Sequence, residues 1–138
     1  MARLAAICKR QALPIDLDDT TVVLFELNSG VTANLVTLFA VPPTNFLRIY
    51  GTSANLEARN NFSKLTIQTV GADEPETGLC FTTDNTMLSE ISAFAEVCAG
   101  NSEFPVRPME ALRNVAVVEA IRLSSEANGA WVDVAQGP

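Results

Sequence analysis

The apolar positions of this chain change their period about two-thirds of the way along. Up to residue 82 they fall in short runs rich in β-branched residues, bounded by Pro, Gly, Asn and Asp, which is the pattern of strands and turns. Residues 4–10 form a first strand, broken by Leu13-Pro14-Ile15 and the acidic stretch Asp16-Leu17-Asp18-Asp19. Residues 20–27 (TTVVLFEL) and 31–40 (VTANLVTLFA) form a hairpin around Asn28-Ser29-Gly30, with Gly30 free to take positive φ. A three-residue loop places Val23, Phe25 and Leu27 on one face with Val31, Ala33 and Leu35, and leaves Glu26, Thr32 and Asn34 on the other. A two-residue loop would mix the faces, so the three-residue loop is expected. Val41-Pro42-Pro43 ends the hairpin, because neither proline can donate to a ladder. Strands over 46–50, 55–58 and 63–70 follow, then a charged loop over 71–78 and a short strand over 79–82.

Beyond residue 82 the period becomes helical. Residues 87–99 place Leu88, Ile91, Phe94, Ala95 and Cys98 on one stripe, with Asp84, Asn85 or Thr86 as the cap and Gly100-Asn101 as the stop. A second helix starts at Pro108, carries Glu110 in its first turn and runs to about residue 126. Leu112, Val115, Ala116 and Leu123 mark one stripe, and Val117, Val118 and Ile121 make the other sides apolar too, so deep burial is expected. Asn128-Gly129 stops it, and residues 131–135 return as a last strand anchored by Trp131. Strands first and helices afterwards predict an α+β fold: a mostly antiparallel, open-faced β-sheet with two helices packed on one face, in a single domain over residues 1–138. The other face then carries Val22, Leu24, Glu26, Val36 and Leu38. It is too apolar for water, so association of copies through the sheet, as a dimer or tetramer, is expected.

Composition removes several function classes. Of 138 residues, 16 are acidic and 9 basic, a net charge of −7 that repels nucleic acid and anionic membrane surfaces. Histidine is absent, which removes the commonest general base and metal ligand together. The glycines are spaced so that neither GxGxxG nor GxxxxGK[ST] can be written. Three cysteines, Cys8, Cys80 and Cys98, form no Cys-x-x-Cys pair. With no apolar leader or 18-residue apolar run, they point to a reducing, cytoplasmic setting, and the sequon Asn61-Phe62-Ser63 reads as a chance match.

Candidate chemistry is sparse. Asp16, Asp18 and Asp19 read as a solvated acidic turn and not as a cation loop, which would need a glycine and a distal glutamate. Arg48 and Tyr50 share a strand face and suit an anionic or sugar-like ligand; equally, Arg48 pairs with Glu57 on the next strand with Tyr50 half-buried beside it. Glu119, amid an apolar stripe, is a candidate for a buried or interfacial ion pair or, less simply, a catalytic carboxylate. Cys98 reads as a core thiol. No residue qualifies as catalytic, cofactor-binding or metal-ligating.

Five segments in order carry a resemblance: Asp19-Thr20-Thr21-Val22-Val23-Leu24-Phe25-Glu26-Leu27-Asn28-Ser29-Gly30; Leu47-Arg48-Ile49-Tyr50-Gly51-Thr52; Glu90-Ile91-Ser92-Ala93-Phe94-Ala95; Glu119-Ala120-Ile121-Arg122-Leu123-Ser124; and Asn128-Gly129-Ala130-Trp131-Val132. Together they resemble the C-terminal domain of the Gfo/Idh/MocA oxidoreductases, relatives of glucose-fructose oxidoreductase and inositol 2-dehydrogenase. The pattern departs at Ala54, near the place of the family's second glycine after Gly51-Thr52. The resemblance implies a substrate-binding and oligomerisation domain without its N-terminal Rossmann domain. It implies NAD or NADP in the full-length parent and a sugar, polyol or related small hydroxy compound as substrate. The lysine and histidine expected to do the chemistry have no counterpart here, so neither cofactor nor catalysis is expected of this chain alone. The alternative is a self-contained α+β ligand-binding or scaffold protein that dimerises through its sheet.

Overall fold

The computed structural model of the chain describes residues 2–82 and 85–135. Its elements are β1 (Arg3–Lys9), β2 (Thr20–Glu26), β3 (Thr32–Leu38), β4 (Leu47–Tyr50), β5 (Ala54–Arg59), β6 (Lys64–Thr69), β7 (Glu76–Cys80), α1 (Thr86–Cys98), α2 (Pro108–Glu126) and β8 (Val132–Asp133). The fold is α+β and the pairing antiparallel, as expected. The strands divide, however, between two four-stranded sheets, ordered β3-β2-β1-β8 and β4-β5-β6-β7. The break falls at Val41-Pro42-Pro43, where two consecutive residues have no N–H to extend a ladder. Two compact units result, residues 1–41 with 105–138 and residues 42–104.

In the first unit the hairpin register is the one its apolar face demands. Val23 opposes Leu35 and Phe25 opposes Ala33, and Leu27 and Val31 close the three-residue loop, with Gly30 at φ +83°. Leu4, Ala6, Val23 and Phe25 form the buried side of the sheet, joined by Ala120 and Val134. The helix that covers them, α2, is buried along a narrower stripe than its composition suggests. Ala120 and Ser124 are buried, with Ala116, Val117 and Ile121 partly so. Leu112, Val115, Val118 and Leu123 face outward, which corrects the expectation of deep burial all round. Small side chains decide the packing, because they let the helix backbone come close to β1.

That close approach completes β1. Strand β8 pairs only with Arg3 and Leu4, so the N–H groups of Ala6 and Cys8 need other partners. The Ser124 and Ser125 hydroxyls accept from them at 2.8 and 2.9 Å. Ser124 also donates to the Ala130 carbonyl at 2.6 Å. The helix ends in a Schellman turn: Gly129 N–H donates to the Ser124 carbonyl (2.8 Å) and Asn128 N–H to that of Ser125 (3.1 Å). Trp131 is not a core anchor. It is 49% exposed, with the Arg3 guanidinium 5.0 Å above its ring; Val134 is the buried residue of this segment.

The acidic turn also differs from expectation. Asp16 is exposed and pairs with Arg10 at 3.0 Å, but Asp19 is only 5% exposed. Its carboxylate accepts from the backbone N–H groups of Gln11, Ala12 and Leu13 (2.8–3.1 Å) and from the Thr20 hydroxyl. It ties residues 11–13 to the start of β2.

In the second unit Gly51 makes the β4–β5 turn. A Cβ there would lie 2.8 Å from the Ala54 carbonyl oxygen, so only glycine fits. The turn closes through Gly51 N–H and that same oxygen (3.0 Å). Strand β7 begins at Glu76, inside the stretch expected to be a loop, because the edge of β6 offers partners there despite a bulge between Lys64 and Thr66. Asn85 caps α1 by accepting from Leu88 N–H at 3.2 Å; Asp84 lies outside the described residues. No described residue of α1 is buried, and Cys98 is exposed, so it is not a core thiol.

Candidate functional site

Strand alternation sorts the second sheet into two faces. Leu47, Ile49, Leu56, Ala58, Leu65 and Ile67 fall on one. Arg48, Tyr50, Asn55, Glu57, Thr66 and Gln68 fall on the other, in two cross-strand rows: Arg48–Glu57–Thr66 and Tyr50–Asn55–Gln68. The polar face is hollowed to about 200 Å³, with Pro75 completing its wall. Its charges are paired two to one, two guanidiniums sharing a single carboxylate. The Glu57 side chain, 16% exposed, forms ion pairs with both Arg48 and Arg59. Arg48 also donates to the Tyr50 hydroxyl at 3.4 Å and lies 5.9 Å from its ring centroid. The structure therefore brings Arg48 and Tyr50 together and pairs Arg48 with Glu57 across the strands. Tyr50 is 73% exposed, not half-buried. An exposed ring beside paired charges and amides can stack on a small ligand and hydrogen-bond to it.

The face of the first sheet away from α2 is the second candidate surface. Val22, Leu24, Val36 and Leu38 are all exposed on it, with Val22 opposite Val36. Glu26 is held by Arg3 through bonds of 2.7 and 3.0 Å. Ile7, opposite Val22, extends the apolar surface onto β1. The sequence reading omitted it, although the alternation of Leu4 and Ala6 with Ala5 and Ile7 carries the signal.

Glu119 is not buried. It is exposed on α2 and held by Arg122, at 2.7 and 3.0 Å, and Arg122 also pairs with Glu126. The Arg122 hydrogen bonds keep the Glu119 carboxyl below the ordinary carboxylate range, so it stays ionised. Backbone N–H groups, chiefly those of Leu13 and Ala12, hold Asp19 well below that range as well. Among the described residues no group of three or more His, Cys, Asp or Glu can hold a metal ion. No described helix is long and apolar enough to cross a membrane.

The described residues do not fit a dinucleotide. Both sheets are antiparallel, whereas a dinucleotide crevice lies at the ends of parallel strands. The start of α2 is filled by Pro108 and by the Glu110 carboxylate, which accepts from Arg107 N–H at 3.1 Å and would repel a diphosphate.

No family model and no curated protein matches the chain by sequence. Its fold is found among solved structures. Over 96% of its length it is similar to a protein from Desulfitobacterium hafniense ascribed to the NADPH-dependent oxidoreductases, with 23% identity and a TM-score of 0.83, and it covers 42% of that chain. It matches levoglucosan dehydrogenase, solved with NADH and L-sorbose, over 99% of its length (16% identity, TM-score 0.77), covering 45% of that enzyme. The likeness is one of fold. The WlbA dehydrogenase of Bordetella pertussis, in complex with NADH and UDP-GlcNAcA, is a further neighbour (13% identity, TM-score 0.73), covered over 40% of its length. These neighbours are of the Gfo/Idh/MocA type, as the sequence motifs imply. This chain spans less than half of each of the three.

Proposed function

We propose that the chain is the substrate-binding and oligomerisation domain of an NAD(P)-dependent oxidoreductase that acts on a sugar, polyol or related small hydroxy compound. The observation that carries this reading is the likeness over 96–99% of this chain to under half of enzymes of that kind. The nicotinamide cofactor then belongs to a Rossmann domain elsewhere in the parent, in keeping with the poor fit of these residues to a dinucleotide. Arg48 and Tyr50 are the proposed contacts to substrate: an aromatic ring and a guanidinium beside a carboxylate and amides suit a polyhydroxylated molecule. The apolar face around Leu24 and Val36 is the proposed contact between copies, an isologous interface that needs roughly 800 Å² from each partner to be stable. Three unpaired thiols suit a cytoplasmic enzyme.

An antibody against the chain, used on its source cells, tests the first claim. A band at roughly 35 kDa, the size of two ordinary domains, is expected; a band near 14.8 kDa would instead leave a self-contained binding or scaffold protein. Sedimentation equilibrium tests the second. The chain should sediment as a dimer or tetramer and Leu24→Asp as a monomer with unchanged circular dichroism. A monomeric parent chain would sink the interface.

A further inference from the structure

The turn that ends α2 places an asparagine directly before a glycine, the one Asn-Gly pair in the sequence. Asn128 is exposed with φ +57°, and Gly129 follows at φ +83°. Glycine has no Cβ to screen its backbone nitrogen from the preceding side-chain amide. In a flexible chain such a pair reacts without an enzyme. The Gly129 nitrogen loses its proton and attacks Asn128 Cγ; a new C–N bond forms, the Cγ–Nδ2 bond breaks, and ammonia carries the proton away. The five-membered succinimide then takes up water at either carbonyl, which leaves aspartate, or isoaspartate with the main chain routed through Cγ.

In the folded chain the attacking nitrogen is engaged. Its N–H donates to the Ser124 carbonyl at 2.8 Å, inside a clasp anchored on two buried residues: the Ser124 hydroxyl accepts from the Ala6 N–H and donates to the carbonyl of the exposed Ala130. Backbone and hydroxyl bonds of this kind must open together before the nitrogen is free to deprotonate and turn toward Cγ. We propose that Asn128 is a modification site of this protein: a succinimide-forming asparagine that the helix-end clasp protects and that reacts when the clasp opens. The reaction also hinders reclosing. Either product sets a new negative charge near Glu126, at the end of the helix where the dipole favours cations. Isoaspartate further lengthens the main chain by one carbon between the two residues whose N–H groups make the Schellman turn. This inference does not depend on the proposed function.

The test compares the folded chain with a synthetic peptide of residues 122–133 during incubation in mildly alkaline buffer. Deamidation is read as a gain of about one dalton on the fragment carrying Asn128, and isoaspartate by enzymatic methylation. The folded chain should convert at least about tenfold more slowly than the peptide, in line with even a modest opening free energy. In urea it should convert at the peptide's rate, and folded Ser124→Ala should convert several-fold faster than the parent, about what the loss of one buried hydrogen bond permits. If that variant fails to fold, the urea arm still decides. A folded parent chain that converts as fast as the peptide would overturn the protection, and an Asn128 that stays intact in urea would overturn the site.

Discussion

Ser124→Ala removes a single oxygen from a side chain with no exposed surface, and the consequence can be worked out from its partners. The Ala6 N–H loses its acceptor in a place water cannot reach, which costs about 1–3 kcal/mol. The Ala130 carbonyl loses a donor too, but Ala130 is exposed and water replaces it at little cost. Alanine in place of serine regains roughly 0.5 kcal/mol of helix propensity. The net loss is about 0.5–2.5 kcal/mol. With a urea dependence of about 1–3 kcal/mol per molar, the unfolding midpoint falls by roughly 1 M. Trp131 is the only tryptophan and lies in the same unit, so its fluorescence reports the transition. Ser125→Ala is the internal comparison: its Cys8 N–H partner is only partly buried, and about 0.5–1.5 kcal/mol is expected. A Ser124 variant no less stable than the Ser125 variant would refute the idea that the helix end serves as a hydrogen-bonding edge for β1.

Other substitutions probe the remaining features. Asp19→Asn should destabilise the chain at neutral pH and progressively less in acid: the folded carboxyl's pKa lies below the unfolded one, so its stabilisation is complete above about pH 4, declines as the pH falls, and is gone once the folded carboxyl is itself protonated. Thermal melts of both proteins at neutral and acid pH should show the gap narrowing; a constant gap would count against the carboxylate clamp. Glu57→Gln strips the counter-charge from Arg48 and Arg59, and amide exchange in β5 and β6 should quicken by about tenfold, equal to about 1.4 kcal/mol; unaltered exchange would mean that the ion pairs contribute nothing to the sheet. Arg3→Ala loses an exposed ion pair with Glu26 and a contact with Trp131. It should cost under about 1 kcal/mol yet change the indole emission.

Much of this fold was legible in the sequence because period-2 alternation determines register when one face is apolar. Val23 and Phe25 could face the core only with a three-residue turn, and that is the turn observed. The polar row from Arg48 to Glu57 followed from the same alternation. Contacts that join distant residues through small or polar groups were not legible. Ser124 bonds to a backbone group 118 positions away, and no local pattern marks it. The buried stripe of α2 was misread because hydropathy favours Val115 and Val118, whereas the short distance to β1 selects Ala120 and Ser124. Asp19 looked like its exposed neighbour Asp16 because a carboxylate that gathers backbone N–H groups is distinguished only by the path of the chain around it.

The serine-capped edge of β1 also gives the first sheet a direction of growth. Beyond β8, a strand arriving from another molecule finds the Ala6 and Cys8 N–H groups already taken by hydroxyls on a helix that stands in its way. At the opposite end β3 is the terminal strand, seven exposed residues long, with Val36 and Leu38 among them. Recruitment of a foreign strand, whether by a legitimate neighbour or by the first step of fibril formation, is therefore directed to one side. A lysine placed at Val36 would act as a gatekeeper on that side without touching the buried face.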